Sequence, residues 1–340
     1  MRHVLIALTL VSIYVWAYSS VFSAELLYED HHLINGTERR LGPSSLPNIS
    51  FDLQHNATPL AYHVVNLALH LLVVALVGVW FVTLGLSASA SWFGVIVTLL
   101  HPLAVEATAY VINRAELIST VLMLIACIVA TVGMKRQWFL ITSVSASLLA
   151  LLAGFGKETG LAVVPVVITI IAVKKSLKFA LVGTVAIIFA FVGLWLGHVG
   201  WAERAVTTMV NREGTSLGFV WAIDIADWLR WQATSAVRMI GLIPVPRGQS
   251  VVFDVWLVPV SLQWLSVAWL VALAVGAWVL RRSYAMFSLG LAWMLLMIAP
   301  RLWVQTPSSI FNEGQFYLAM PGAALIAATL WGCDNRKELV

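Results

Sequence analysis

The chain has 340 residues, of which 61% are hydrophobic and only 11% are charged. Because soluble domains carry about a quarter charged residues, this composition excludes an ordinary soluble fold and predicts an all-α polytopic membrane protein. The net charge of +4 is scattered over short segments without a basic stripe, which excludes a nucleic-acid partner. Cys127 and Cys333 provide neither a disulfide framework nor metal-ligand spacing.

The predicted elements are apolar helices, each needing about 20 residues to cross the hydrocarbon core. The first is predicted to be a retained span, because Phe22 stands where signal-peptide cleavage after Ala24 requires a small residue. We expect about ten spans in one transmembrane domain over 1–340, with no soluble domain. They are 4–22, 62–84, 90–105, 116–134, 138–155, 160–173, 178–197, 258–280, 284–300 and 317–333.

Two longer segments, 23–61 and 198–257, are predicted to be loops on the outer side of the membrane. Within the second, 218–245 mixes tryptophans such as Trp228 with charged residues such as Arg230. That mixture favours a helix lying in the outer membrane interface over one that crosses the lipid.

Basic loop residues set the predicted orientation. If the N-terminus is cytoplasmic, Lys135-Arg136 and Arg281-Arg282 fall on the inner side, and nearly all the acids fall on the outer side. A crossing at 218–245 would move Arg281-Arg282 outward, so the charges also favour the interfacial placement. We expect both termini in the cytoplasm, and the short loops are typical of a bacterial inner-membrane protein.

Four polar clusters lie at the predicted outer ends of the spans. Apart from Lys157, the outer basic residues are arginines, whose planar guanidinium matches carboxylate and phosphate oxygens. Pairing of Glu106 with Arg114, or of Lys157 with Glu158, would be a purely structural alternative. The clusters are Glu29-Asp30-His31-His32, His101 to Glu106 followed by Asn113 to Glu116, Gly156 to Thr159, and Asn312 to Tyr317.

Several functional classes find no support in the sequence. There is no P-loop, no dinucleotide fingerprint and no pair of broken spans in matching halves, so we expect the energy source to arrive with the substrate. The histidines lack ligand spacing on a face that also carries carboxylates, and we therefore expect no bound metal. His63 and His70, seven residues apart on one span, are predicted to be packing or interfacial residues.

The ordered motifs resemble a known family. Residues 59–70, Pro-Leu-Ala-Tyr-His-Val-Val-Asn-Leu-Ala-Leu-His, resemble the start of the second span in GT-C class membrane glycosyltransferases, and in particular the O-mannosyltransferases with tetratricopeptide repeats. The turn at 101–117, the pair Lys157-Glu158 and the late segment 313–322 are similar to further motifs of that family, so the resemblance covers most of the chain.

Two departures from the family pattern are visible. The late motif often has an arginine after its glutamate, where this chain has Gly314 and Gln315. We also expect no repeat domain, because the chain ends soon after the last predicted span.

The resemblance implies a GT-C-like bundle with outer-face loops and interfacial helices. It implies an inverting transferase that moves a sugar from a polyprenyl-phosphate carrier to an acceptor hydroxyl on the outer, periplasmic face, without a cofactor. The implied partners are the lipid-linked donor, an acceptor protein or glycan, and membrane lipids. A flippase of lipid-linked sugars and an inactive scaffold that binds the carrier lipid stay open as alternatives.

The resemblance and the charge pattern together nominate site residues. Asp30 is predicted to be the general base, with Glu29 assisting it. The candidates for binding the donor phosphate are Arg114, Lys157, Arg238 and Arg301. The candidates for supporting or sugar-binding roles are His101, Glu106, Glu158, Glu313, Gln315 and Tyr317.

Overall fold

The computed structural model of the protein describes residues 2–26, 30, 45–54, 57–173, 225–246, 257–304 and 313–332. These ranges form α-helices joined by turns and short 3-10 segments, and they contain no β-strand. The helices are α1 Arg2–Ala17, α2 Ser45–Asp52, α3 Pro59–Leu84, α4 Ala88–Leu100, α5 Leu103–Ala109, α6 Arg114–Lys135, α7 Phe139–Gly156, α8 Val163–Val173, α9 Ile225–Leu242, α10 Val260–Leu280, α11 Ala285–Val304 and α12 Met320–Trp331.

Several of these helices are suited to a membrane. Within the described ranges α3, α6, α7 and α10 are long and apolar enough to cross one, and α4 with α5 would be a fifth span, bent by 57°. Shorter apolar helices include most of α1, α11 and α12. The all-helical prediction is confirmed in this coarser form, whereas the count of ten spans stays a prediction and 178–197 lies outside the described residues.

The ends of α3 follow directly from its sequence. The hydroxyl of Thr58 accepts a hydrogen bond from the Ala61 N–H at 3.4 Å, and Pro59 occupies the first turn, where its missing N–H costs nothing. The helix ends at Gly85, whose φ of 93° is a left-handed conformation that favours glycine. These residues set the two ends of α3, which is a single helix of 26 residues.

Contacts between helix termini define two ends of the bundle. The Arg114 Nη2 donates to the Tyr62 carbonyl at 3.0 Å, so the N-terminal ends of α3 and α6 lie together. At their C-terminal ends, Lys135 Nζ donates to the Thr83 carbonyl at 2.5 Å. We call these the Arg114 end and the Lys135 end.

Helix α9 lies within the ambiguous segment 218–245. It packs along α10 and buries Ala236, Met239 and Ile240 in the main hydrophobic core. It is not among the helices of the described ranges that are long and apolar enough to cross a membrane. Its placement in the membrane interface stays a prediction.

Helices α11 and α12 cross at a pair of glycines. A Cβ added to Gly322 would lie 2.6 Å from the Gly290 carbonyl oxygen and 2.8 Å from the Trp293 ring. The Trp293 Nε1 donates to the Leu318 carbonyl at 2.8 Å across the same contact. The close approach of the two helices therefore depends on the absence of a side chain.

We expect Gly322→Ala to lower the free energy of unfolding by about 1–3 kcal/mol, because overpacking a fitted contact forces the helices apart. The measurement is thermal unfolding of the purified protein in detergent. Gly276→Ala in α10 is the matched control, since an added Cβ there meets no atom within 4 Å. Equal unfolding temperatures for the two variants would contradict this account of the crossing.

Candidate functional site

Arg114 opens α6 and its side chain is 0% exposed. Its Nε donates to Asn66 Oδ1 at 2.8 Å, and its Nη1 donates to Ser50 Oγ at 3.2 Å and to Gln54 Oε1 at 2.5 Å. Its Nη2 donates to the Tyr62 carbonyl. A buried cation is tolerated when its donors find acceptors, and these four hydrogen bonds engage every nitrogen of the guanidinium while joining α2 and α3 to α6.

An aromatic ring and a fixed amide also surround the Arg114 guanidinium. Its central carbon lies 4.3 Å from the centroid of the Phe51 ring, a cation–π contact. The Asn66 amide nitrogen donates to the carbonyls of Tyr110 and Val111, which fixes the oxygen that Arg114 uses. In the structure Arg114 is bound by protein atoms on several sides, and neither Glu106 nor a phosphate is needed to account for its hydrogen bonds.

Asp30 lies at the start of the same helix. Its carboxylate is 1% exposed, and its Oδ1 accepts the Ile112 N–H at 2.8 Å. Ile112 belongs to the 3-10 turn Val111–Asn113 that leads into α6, and the unpaired N–H groups of such a terminus favour a carboxylate. The charges of Asp30 and Arg114 also interact. Two residues predicted from separate motifs are thus brought together, whereas Glu29 lies outside the described residues.

Lys157 reaches the first turn of α6 from another direction. Its Nζ lies 3.4 Å from Glu116 Oε1, with the lysine side chain 23% exposed and the glutamate side chain 0% exposed. The structural alternative drawn from the sequence paired Lys157 with Glu158, whose side chain lies outside the described residues. The observed partner is the buried Glu116, and the Lys157 side chain is still partly accessible to a ligand.

The glycines that flank Lys157 explain its position. A Cβ on Gly156 would lie 3.1 Å from the Ser119 backbone, and one on Gly160 would lie 2.1 Å from the Ser119 hydroxyl. That hydroxyl donates to the Ala153 carbonyl at 2.9 Å. The motif Gly-Lys-Glu-Thr-Gly therefore lets the end of α7 lie directly on α6.

No protein-family model, curated protein or solved structure matches this chain. The chemistry of the residues at the Arg114 end is the remaining indication of function. That end combines a buried carboxylate, a buried guanidinium whose three nitrogens all donate hydrogen bonds, and an ammonium that is partly open to a ligand.

A second polar contact fixes the late motif. The His70 Nε2 lies 3.4 Å from the Leu99 carbonyl, which can only accept, so His70 Nδ1 accepts from the Tyr317 hydroxyl at 2.6 Å. Both side chains are fully buried, and the rings of Tyr14 and Tyr18 pack around the imidazole. Tyr317 was predicted to support the site, and this bond ties its 3-10 segment to α3.

His101 stands at the bend between α4 and α5. Its Nδ1 accepts the Leu103 N–H at 3.2 Å, so its Nε2 carries the proton and donates to the Ile243 carbonyl at 2.8 Å. Both ring nitrogens are used within the protein. His101 therefore connects the bend to the end of α9.

For the other candidate residues the structure gives the element, and for some of them also the burial of the side chain. Glu106 in α5 and Arg238 in α9 are partly buried. Arg301 lies in α11, and Glu313 and Gln315 lie in the 3-10 segment Glu313–Ala319, with side chains outside the description. No group of three His, Cys, Asp or Glu residues that could hold a metal occurs in the described part of the chain.

Proposed function

We propose that the protein is an inverting membrane glycosyltransferase. It moves a sugar from a polyprenyl-phosphate carrier to an acceptor hydroxyl at the Arg114 end of the bundle, on the periplasmic face of a bacterial inner membrane. One observation carries the proposal. The Asp30 carboxylate and the Lys157 ammonium contact the start of α6 about one helical turn apart, at Ile112 and Glu116.

In the proposed reaction the Asp30 carboxylate is the base, and the Lys157 ammonium stabilises the leaving group. Asp30 takes the proton from the acceptor hydroxyl as the acceptor oxygen attacks the anomeric carbon of the sugar. The bond from that carbon to the phosphate oxygen breaks on the opposite face, and the configuration inverts. Lys157 stabilises the negative charge that develops on the departing polyprenyl phosphate, in a site partly shielded from water.

Arg114 has a positioning role in this proposal. Its bonds to Asn66, Ser50 and Gln54 hold the start of α6, on which both Asp30 and Lys157 rest. The phosphate contact predicted for Arg114 from the sequence is therefore not part of the proposed mechanism. Arg238 and Arg301 stay predicted as further cations for the phosphate.

Lys157→Gln is expected to lower kcat/KM for a polyprenyl-phosphate sugar by about 10²–10³-fold, because one preorganised charge is lost where the leaving group becomes negative. The measurement is transfer of labelled sugar by the purified protein. Arg282→Gln, on the exposed turn between α10 and α11, is the control that removes a charge elsewhere and should keep wild-type activity.

The buried partner of Lys157 requires a second comparison. Lys157→Gln leaves Glu116 as a buried acid without its lysine, which can lower stability by itself. The double variant with Glu116→Gln removes both charges and should regain stability without regaining transfer. Recovery of transfer in the double variant would show that Lys157 serves packing, and would remove it from the mechanism.

A further inference from the structure

A groove of about 700 Å³ lies between α1, α3 and α4, away from the Arg114 end. Small side chains create it, among them Ala7 on α1 and Ala75 and Gly78 on α3. A Cβ on Gly78 would lie 3.0 Å from the Val95 side chain on the facing wall, so this glycine lets α3 and α4 approach closely beside the groove. The volume falls within the range of about 300–1,000 Å³ that is typical of ligand pockets.

The groove lies beside helices suited to a membrane, and its lining is uncharged. Helix α3 is long and apolar enough to cross a membrane, and α4 belongs to the bent pair that would form a further span. None of the residues that line the groove carries a charge. Its body therefore suits a hydrocarbon chain.

Polar groups occur toward one end of the groove. Ser91 lines it and is 5% exposed, and its hydroxyl has no hydrogen-bond partner among the described residues. Leaving a buried hydroxyl without a partner costs free energy, so an acceptor on a bound molecule would stabilise this site. Thr83, on the facing helix, also lines the groove, and its carbonyl accepts from the exposed Lys135 ammonium.

The arrangement of these groups identifies the class of ligand. A glycerophospholipid carries ester carbonyls between its phosphate and its acyl chains. Lys135 would face the phosphate, Ser91 an ester carbonyl, and the apolar groove an acyl chain. A polyprenyl phosphate has no ester carbonyl that could accept from the Ser91 hydroxyl. The Lys135 charge further favours an anionic headgroup.

We propose that this groove binds one acyl chain of an anionic glycerophospholipid. The phosphate pairs with the Lys135 ammonium, an ester carbonyl accepts from the Ser91 hydroxyl, and the chain extends along α3 toward Leu99. The lipid comes from the leaflet on the Lys135 side. This binding site is separate from the proposed transferase site and does not depend on it.

To test this, the 340-residue protein in detergent is titrated with dioleoyl phosphatidylglycerol or with dioleoyl phosphatidylcholine. The number of bound lipids is measured by native mass spectrometry. Phosphatidylglycerol should bind at least about tenfold more tightly than the zwitterionic lipid. Lys135→Gln should remove that preference. Ala75→Phe, which fills the groove from an exposed position, should weaken binding of both lipids by at least about tenfold.

Two comparisons make the result decisive. Ala272→Phe, at an exposed position of α10 that does not line the groove, should bind phosphatidylglycerol as the wild type does. Undecaprenyl phosphate, added as a competitor, should not displace the phospholipid. Equal binding of the two phospholipids, unchanged binding in Ala75→Phe, or displacement by undecaprenyl phosphate would overturn the proposal.

Discussion

Asp30→Asn is expected to abolish sugar transfer, with a loss of about 10²–10⁴-fold, because a positioned general base contributes that much and the amide cannot take the proton. The asparagine side chain keeps an oxygen that can accept the Ile112 N–H, so the start of α6 should keep its conformation. The measurement is transfer of labelled sugar from polyprenyl phosphate, together with binding of the unreacted donor. Donor binding should survive.

The control for this variant lies close in the chain. Asp52→Asn makes the same chemical change at an exposed position at the end of α2 and should leave transfer unchanged. Full activity in Asp30→Asn would remove Asp30 from the mechanism. Equal losses of activity in both variants would point to a general effect of charge rather than to a base.

Arg114→Lys is expected to lower the free energy of unfolding by about 3 kcal/mol or more. A lysine ammonium cannot match the fork that serves Asn66, Gln54 and the Tyr62 carbonyl together, so buried acceptors lose their donors. The measurement is thermal unfolding in detergent, and activity should fall in parallel with stability. Arg136→Lys is the matched control, because Arg136 is exposed at the other end of α6.

The same variant separates two roles for Arg114. A residue that positions the start of α6 should show a lower unfolding temperature when it is changed to lysine. A residue that only binds the donor phosphate should show a higher KM at an unchanged unfolding temperature. The second result would return Arg114 to the phosphate site and would contradict the role proposed here.

The helices themselves could be predicted from the sequence because long apolar segments permit little else. Each predicted span that falls in the described residues contains a helix. The predicted span 90–105 continues through the bend at Pro102, because apolar character continues across the break, although the family resemblance indicates a turn that begins at residue 101. Helix α2 was also missed, since its eight residues are only weakly apolar and are fixed by contacts with α6 and α7.

The charged candidates could be selected from the sequence, but their hydrogen-bond and ion-pair partners could not. Asp30 and Lys157 stand out because charges at the ends of apolar spans are rare. The partners of Arg114 lie 48 residues away at Asn66 and 60 residues away at Gln54, and nothing local indicates which polar side chain the fold brings to it. The bond between His70 and Tyr317 spans 247 residues and could be found only in the folded chain.

The most direct test of the proposed function is a single transfer reaction. The purified protein, reconstituted in vesicles, is given polyprenyl phosphate bearing a radiolabelled sugar, together with periplasmic acceptor material. The proposed function predicts label in the acceptor and free polyprenyl phosphate in the lipid, with no transfer by Asp30→Asn. Movement of the intact labelled lipid across the vesicle membrane without cleavage would contradict it. Binding of the labelled lipid with neither cleavage nor movement would contradict it as well.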